Sequence, residues 1–321
     1  MTKTITSCLS GLILVFLCCS VLAVQPNRIT VAKDGSGNYE TVAAAIASVP
    51  ENNSRLITIY IKNGIYKEKL VIGKSKTNIA LVGQDVAKTI ITYDDYASKK
   101  DSSGKEIGTF GSPSVSILCD NFKAVNITFE NASGPVGQAV ALAVSGDRVY
   151  FRNCRFLGSQ DTVYTFGNTS RQYFYRCYIE GTVDFIFGAA VAVFEQCEIF
   201  CKRGGYITAA STPEGQQYGY VFLNSKIMGI APENSVHLGR PWRPYAKTVF
   251  IRTEMPALVK KVGWHNWGKT SNEQTAFYAE YENKGEGFKP LERVPWAKQL
   301  TATEAKLYTI ENIFKDWNPK K

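Results

Sequence analysis

The sequence predicts a right-handed parallel β-helix with a short capping helix at its N-terminal end, and three observations point that way. A short strand recurs as F-E-N-A from Phe129, F-R-N-C from Phe151, F-Y-R-C from Phe174, F-E-Q-C from Phe194 and F-L-N-S from Phe222. A degenerate sixth copy, F-I-R-T, starts at Phe250. The phenylalanines are separated by 22, 23, 20, 28 and 28 residues, the range in which solenoid units repeat. Each copy places apolar residues at alternate positions and runs into Gly or polar turn residues, so it reads as a strand with one face inward. Such a unit cannot bury its apolar face alone and must stack on its neighbours in a parallel ladder.

In chain order, the first 23 residues read as an export signal. Lys3 precedes an apolar run from Leu9 to Leu17, and Val21-Leu22-Ala23 suits cleavage after Ala23. Ser7, Ser10, Gly11 and Ser20 interrupt the run, which falls short of a bilayer span and argues against a membrane anchor. Bulky Phe16 and Leu17 argue against lipidation at Cys18. The expected product is extracellular, or periplasmic in a Gram-negative source. Val42, Ala45, Ile46 and Val49 then follow a helical spacing within 41–49, and a helix there would cap the first coil. Strands are expected over 56–61, 70–72, 79–82 and 89–92. The tail after Gly285 is less regular, and 300–317 is expected to lie along the outside. No low-complexity linker interrupts the chain, so residues 24–321 read as one domain.

Composition narrows the partners. With 45% hydrophobic and 20% charged residues, the chain has the balance of a globular protein with a sizeable core, which excludes disorder over most of it. The formal net charge of +9 becomes +8 without Lys3 (9 − 1). It serves solubility or a polyanionic partner. For an exported chain without a basic stripe, zinc finger or RNA-binding motif, that partner would be an acidic polysaccharide rather than nucleic acid. Loss of the signal leaves Cys119, Cys154, Cys177, Cys197 and Cys201, an odd number that leaves at least one thiol unpaired in a monomer. Paired C-x-x-C elements are missing and His237 and His265 are the only histidines, which disfavours structural zinc. Cys154, Cys177 and Cys197 share one register. Either Cys177 and Cys197 form a disulfide, the preferred pairing, or the column is a stack of free thiols.

The repeat also sets carboxylates in register. Seven residues after Cys154 stands Asp161, and seven after Cys177 stands Asp184. Six residues after Ala132, aligned with Cys154, stands Gln138, as Gln160 stands six after Cys154. Adjacent parallel strands lie about 4.8 Å apart, so the two aspartates should stand one above the other. A ladder of stacked Asn, Gln or Asp side chains could produce this pattern for purely structural reasons. Two carboxylates at such spacing repel, however, and drive one to keep its proton at neutral pH, which suits acid–base chemistry.

These residues lie in segments that resemble the pectin methylesterase family. The segments are G-S-Q-D-T from Gly158, G-T-V-D-F-I-F-G from Gly181 and L-G-R-P-W from Leu238. Further similarity lies in D-G-S-G-N-Y-E-T-V from Asp34, G-I-Y-K-E from Gly64, Q-A-V-A-L from Gln138, G-W-H-N-W from Gly263 and Y-A-E-Y-E-N from Tyr278. The resemblance spans nearly all of the chain after residue 23. It implies hydrolysis of the C6 methyl esters of pectin without a cofactor or metal, in a monomer. Asp184 would be the nucleophile, Asp161 the proton donor and later the base, and Gln138 and Gln160 the donors to the developing oxyanion. Arg240 would orient Asp184, and Thr109 and Trp242 would touch substrate. Without the resemblance, Arg240 could equally serve a surface ion pair, and Trp242 a core. Tyr66 and Glu68 read as structural. No long extension precedes the catalytic region, so an inhibitor-like prodomain is not expected.

Two motifs mislead. G-W-H-N-W-G-K-T from Gly263 matches a phosphate-binding loop formally, but Trp264 and Trp267 crowd the turn and neither flanking strand nor helix is evident. Asn52, Asn126, Asn131 and Asn168 begin glycosylation sequons, of which Asn126 and Asn131 flank an expected strand. A serine hydrolase is disfavoured by the absence of G-x-S-x-G. A lyase is disfavoured because no cluster of calcium ligands is evident. A retaining glycosidase using the same carboxylate pair, and a silent polysaccharide-binding solenoid, remain as rivals.

Overall fold

The computed structural model describes residues 28–168 and 170–321; the expected signal segment lies outside them. Short strands in these residues wind into a parallel β-helix with three sheet faces. The first face is an eleven-stranded sheet that starts with Arg28–Val31, Ile57–Ile61, Ile79–Gly83 and Lys123–Val125 and ends with Phe277–Tyr281 and Lys298–Gln299. The second face includes Gly64–Lys67, Thr89–Tyr93, Thr128–Asn131 and Arg155–Leu157, and the third Leu70–Ile72, Val115–Ile117, Leu142–Val144 and Val163–Thr165. Two long strands, Tyr178–Gly188 and Glu198–Ala210, run through both the second and third faces. The coils wind as the right-handed parallel β-helix expected from the repeat.

The corner between the first and second faces is made by one residue per coil. Asn126, Asn153, Arg176, Gln196, Asn224, Arg252 and Glu282 all have φ between 47° and 57°. A single left-handed residue turns the chain sharply, and Asn, which tolerates that conformation best among side chains with a Cβ, fills three of the seven places. Immediately before this corner, Phe151, Phe174, Phe194, Phe222 and Phe250 pair in register along the first face. Their rings stack at 4.8, 4.7, 4.6 and 4.2 Å and are fully buried. This is the repeat visible in the sequence.

The first copy does not belong to that column. Phe129 lies in the second face, paired and stacked with Phe156, and Ala124 is the residue opposite Phe151. The backbone N–H of Arg155 reaches Ile127, so Ile127 rather than Ala132 holds the place of Cys154. The coil after Ile127 carries a wider loop before Gln138, and this excursion shifted the count while leaving its end point in place.

The cysteine column is present, but all five thiols are free and buried, so the preferred Cys177–Cys197 disulfide is not formed. Parallel neighbours hold their Cβ atoms close to the strand spacing, about 4.8 Å, whereas a disulfide draws them to about 3.8 Å. The three thiols of the column donate to carbonyls instead, as Cys197 Sγ does to Phe174 O at 3.3 Å.

The first coil is capped as the patterning suggests. Val42–Ser48 is helical, with Thr41 Oγ1 accepting the N–H of Ala44 and Val42, Ala45 and Ile46 buried. Glu68 accepts the first two helical N–H groups, Val42 at 3.0 Å and Ala43 at 2.8 Å, and Tyr66 donates to Lys62 O, so both residues are structural. The C-terminal tail lies along the outside, as expected, where Ile310, Ile313 and Phe314 cover Tyr173, Val193, Tyr218 and Val221 on middle coils of the first face. Of the sequons, Asn131 is buried and its amide donates to Asp95 O and Val140 O, which leaves no place for a glycan. Among the described residues no helix is long and apolar enough to cross a membrane.

Candidate active site

The third face begins where the chain leaves the long second-face strands, and there the two aspartates meet. Val163 pairs with Ile186, and Asp161 N–H donates to Val183 O at 3.1 Å, so Asp161 and Asp184 occupy equivalent places on consecutive coils. Gln138 and Gln160 form a parallel bridge one position earlier. Both aspartates adopt left-handed backbone angles, φ 65° and 51°, a conformation uncommon for residues with a Cβ. The turns that carry them are tight. A Cβ on Gly181 would lie 2.7 Å from Ser159 O and collide with Phe185, which explains the glycine opening G-T-V-D-F.

Arg240 enters from the strand Val236–Gly239, whose Gly239 pairs with Thr208; a side chain at Gly239 would run into Thr208 Oγ1. Its guanidinium grips Asp184 with two parallel bonds, Nε to Oδ1 at 2.9 Å and Nη2 to Oδ2 at 2.6 Å. Such a fork fixes the carboxylate plane and favours its charged form. The guanidinium is itself sandwiched, with its central carbon 3.9 Å from the Tyr206 ring centre and 3.8 Å from that of Trp267.

The environment separates the two carboxylates. Burial, followed by the charge of Asp184, pushes Asp161 up to about 8 against a weaker opposing pull from Arg240. Burial also raises Asp184, but there the hydrogen bonds and charge of Arg240 act against it. At neutral pH this leaves Asp161 protonated and Asp184 the one held as carboxylate.

All seven residues singled out from the sequence, Thr109, Gln138, Gln160, Asp161, Asp184, Arg240 and Trp242, line one cleft of about 260 Å³. Thr109 reaches it from a loop held to Gln138 by the bond from Ala97 N–H to Gln138 O. Phe110, Phe187, Ala209 and Trp267 complete the lining, and Tyr206 lies beneath Arg240. Sequence reasoning missed these. Tyr206 sits opposite Val183 across an irregular register, which breaks the residue count. Trp267 belongs to the false phosphate loop, whose two tryptophans were its one usable signal. In the fold Trp264 is buried and Trp267 faces the cleft, so the segment forms a wall of the site rather than an anion cradle.

A β-helix cleft that holds a protonated and an ionised carboxyl side by side, with two glutamine amides in its lining, is equipped for the hydrolysis of a polysaccharide substituent or linkage, and the family match assigns it to the carboxylic ester hydrolases. The pectinesterase family model matches residues 28–316, and the chain belongs to that family. It is 44% identical over 283 residues to Pectinesterase 31 of Arabidopsis thaliana, covering 86% of this chain and 89% of that one. To Pectinesterase QRT1 of the same plant it is 40% identical, covering 87% and 74%. Among solved structures, the pectin methylesterase from carrot superposes with a TM-score of 0.82 at 36% identity, over 91% of this chain and 93% of that one. A pectin methylesterase in complex with a hexasaccharide gives 0.80 at 32%, over 91% and 98%.

Proposed function

We propose that this chain removes the C6 methyl groups of pectin as methanol through an acyl-enzyme on Asp184. The observation that supports this most strongly is the in-register carboxylate pair, of which Arg240 grips one member only. An Asp184 oxygen attacks the ester carbon, and the amides of Gln138 and Gln160 donate to the oxyanion. Asp161 gives its proton to the methoxy oxygen as that C–O bond breaks, and methanol leaves. Asp161, now ionised, takes a proton from water as the water oxygen attacks the acyl carbon, releasing galacturonate and restoring both carboxyls. Thr109 and Trp242 hold the sugar at the cleft walls. The mature enzyme spans residues 24–321 as an exported monomer that needs no cofactor.

Asp184→Asn tests the assignment. Methanol release from esterified pectin should fall about a thousandfold or more, while binding to pectin is retained. An unaffected rate would remove Asp184 from the mechanism, and new reducing ends without methanol would identify a glycosidase instead.

A further inference from the structure

The two histidines of the chain have no part in the steps above, yet both lie behind Arg240. Tyr206 stacks on His237 with ring centres 4.8 Å apart and planes within 7°, and His265 is tilted against both, 5.6 Å from Tyr206 and 5.5 Å from His237. His265 is tied into this group at two points. Its backbone N–H donates to Gly239 O at 3.1 Å, beside the residue that carries the guanidinium, and its Nδ1 accepts the backbone N–H of Trp267 at 3.1 Å. Trp267 is the ring that closes the outer side of the Arg240 sandwich. One imidazole nitrogen thus holds the backbone of the residue that clamps the arginine that grips Asp184.

An acceptor at Nδ1 requires a neutral ring with its proton on Nε2. A second proton would sit on Nδ1, facing the Trp267 N–H it now accepts from, and the bond would be lost. The charged groups around His265 are Arg240 and Lys260, both positive, with His237 and Tyr206 as its other titratable neighbours. The nearby carboxylates are otherwise engaged: Asp184 by Arg240, and Glu273 by the amide of Asn266. Burial and these cations depress protonation of His265, so the neutral form is the resting one.

We propose that His265 is a positioning residue for the reaction: as a neutral imidazole it holds Trp267 against the Arg240 guanidinium, and its protonation releases that clamp on Asp184. The proposal rests on Asp184 being the nucleophile. Acid then acts on the enzyme twice, once by protonating Asp184 itself and once by loosening the group that orients it.

His265→Asn keeps an acceptor one turn-length from the Trp267 N–H, the geometry in which Asn266 Oδ1 already accepts from Gly268 N–H, but cannot titrate. His265→Ala removes the acceptor. Above the acid limb, kcat of H265N should stay within about threefold of the parent while H265A falls about tenfold, with KM changing less than kcat. On the acid side, log kcat of the parent should fall more steeply than a slope of one where His265 protonates, dropping about one log unit further than that of H265N, whose slope should stay near one throughout. H265A at the parental rate, H265N as slow as H265A, or an acid limb unchanged in H265N would each overturn the proposal. Should H265A fail to fold, the acid limb of H265N decides alone. Because Asp184 is intact in both variants, a failure here is separable from a failure of D184N to abolish methanol release.

Discussion

Asp161 shows how one residue couples chemistry to stability. Its folded value of about 8 lies far above the 3.8 of a free aspartate, because burial and the Asp184 charge penalise its ionised form. The folded chain therefore keeps a proton that the unfolded chain gives up. This group's contribution to stability is full below about pH 4 and is lost as pH rises through about 8. Asp161→Asn removes that dependence. Its melting temperature relative to the parent should climb between about pH 4 and pH 9, even as activity disappears. A difference that stays constant across this range would mean that Asp161 is not held protonated. The parent's own activity should decline as pH passes about 8, since the leaving methoxide then lacks its donor. The pairing of Asp161 with Asp184 could be read from the repeat, because a count of seven residues survives wherever two consecutive coils have equal length. The partners of Arg240 could not. Tyr206 and Trp267 come from coils of different length, so no fixed offset leads to them.

At the scale of the element, the phenylalanine column is what makes one coil fit the next. Phe194 lies between Phe174 and Phe222, stacked at 4.7 and 4.6 Å and fully buried. Phe194→Ala leaves a cavity that rigid coils on either side cannot close, and should cost about 3–5 kcal/mol in urea unfolding. A loss below about 1 kcal/mol would show that the stack is dispensable. Alternation made these strands legible, but it did not reveal which face of the helix each belongs to. Phe129 has the right neighbours for the column and still lies on another face, because all three faces bury one side of a strand in the same way. The thiol stack makes the same point: register brought the cysteines together, and the parallel direction of their side chains kept them reduced.

For the whole molecule, a solenoid must close its last coil, and here a buried charge pair contributes. The side chains of Arg293 and Glu280 are 2% and 0% exposed and joined at 2.7 Å, and Arg293 also donates to Lys260 O, Lys261 O and Gly287 O. Lys260 and Lys261 lead into the segment bearing His265 and Trp267, so Arg293 supports a wall of the candidate site. Arg293→Met strands Glu280 in the core and should cost about 3–5 kcal/mol, whereas changing both partners to apolar residues should cost less. A double mutant as unstable as R293M in thermal unfolding would contradict the role of the stranded charge. The less regular spacing after Gly285 concealed this closure, since its anchor is a pair of charges rather than another strand of the repeat.

What the sequence determined by itself was whatever is local or periodic: strands with one buried side, their recurrence, the helix at Val42–Ser48, and the stacking of Asp161 on Asp184. A solenoid converts such periodicity directly into space, because each coil is placed by the one before it. The tertiary structure alone decided which face each strand joins, that the thiols remain free, and that Tyr206 and Trp267 enclose Arg240. Those outcomes depend on loops of unequal length and on the directions of side chains from separate coils, and neither is carried by a repeat.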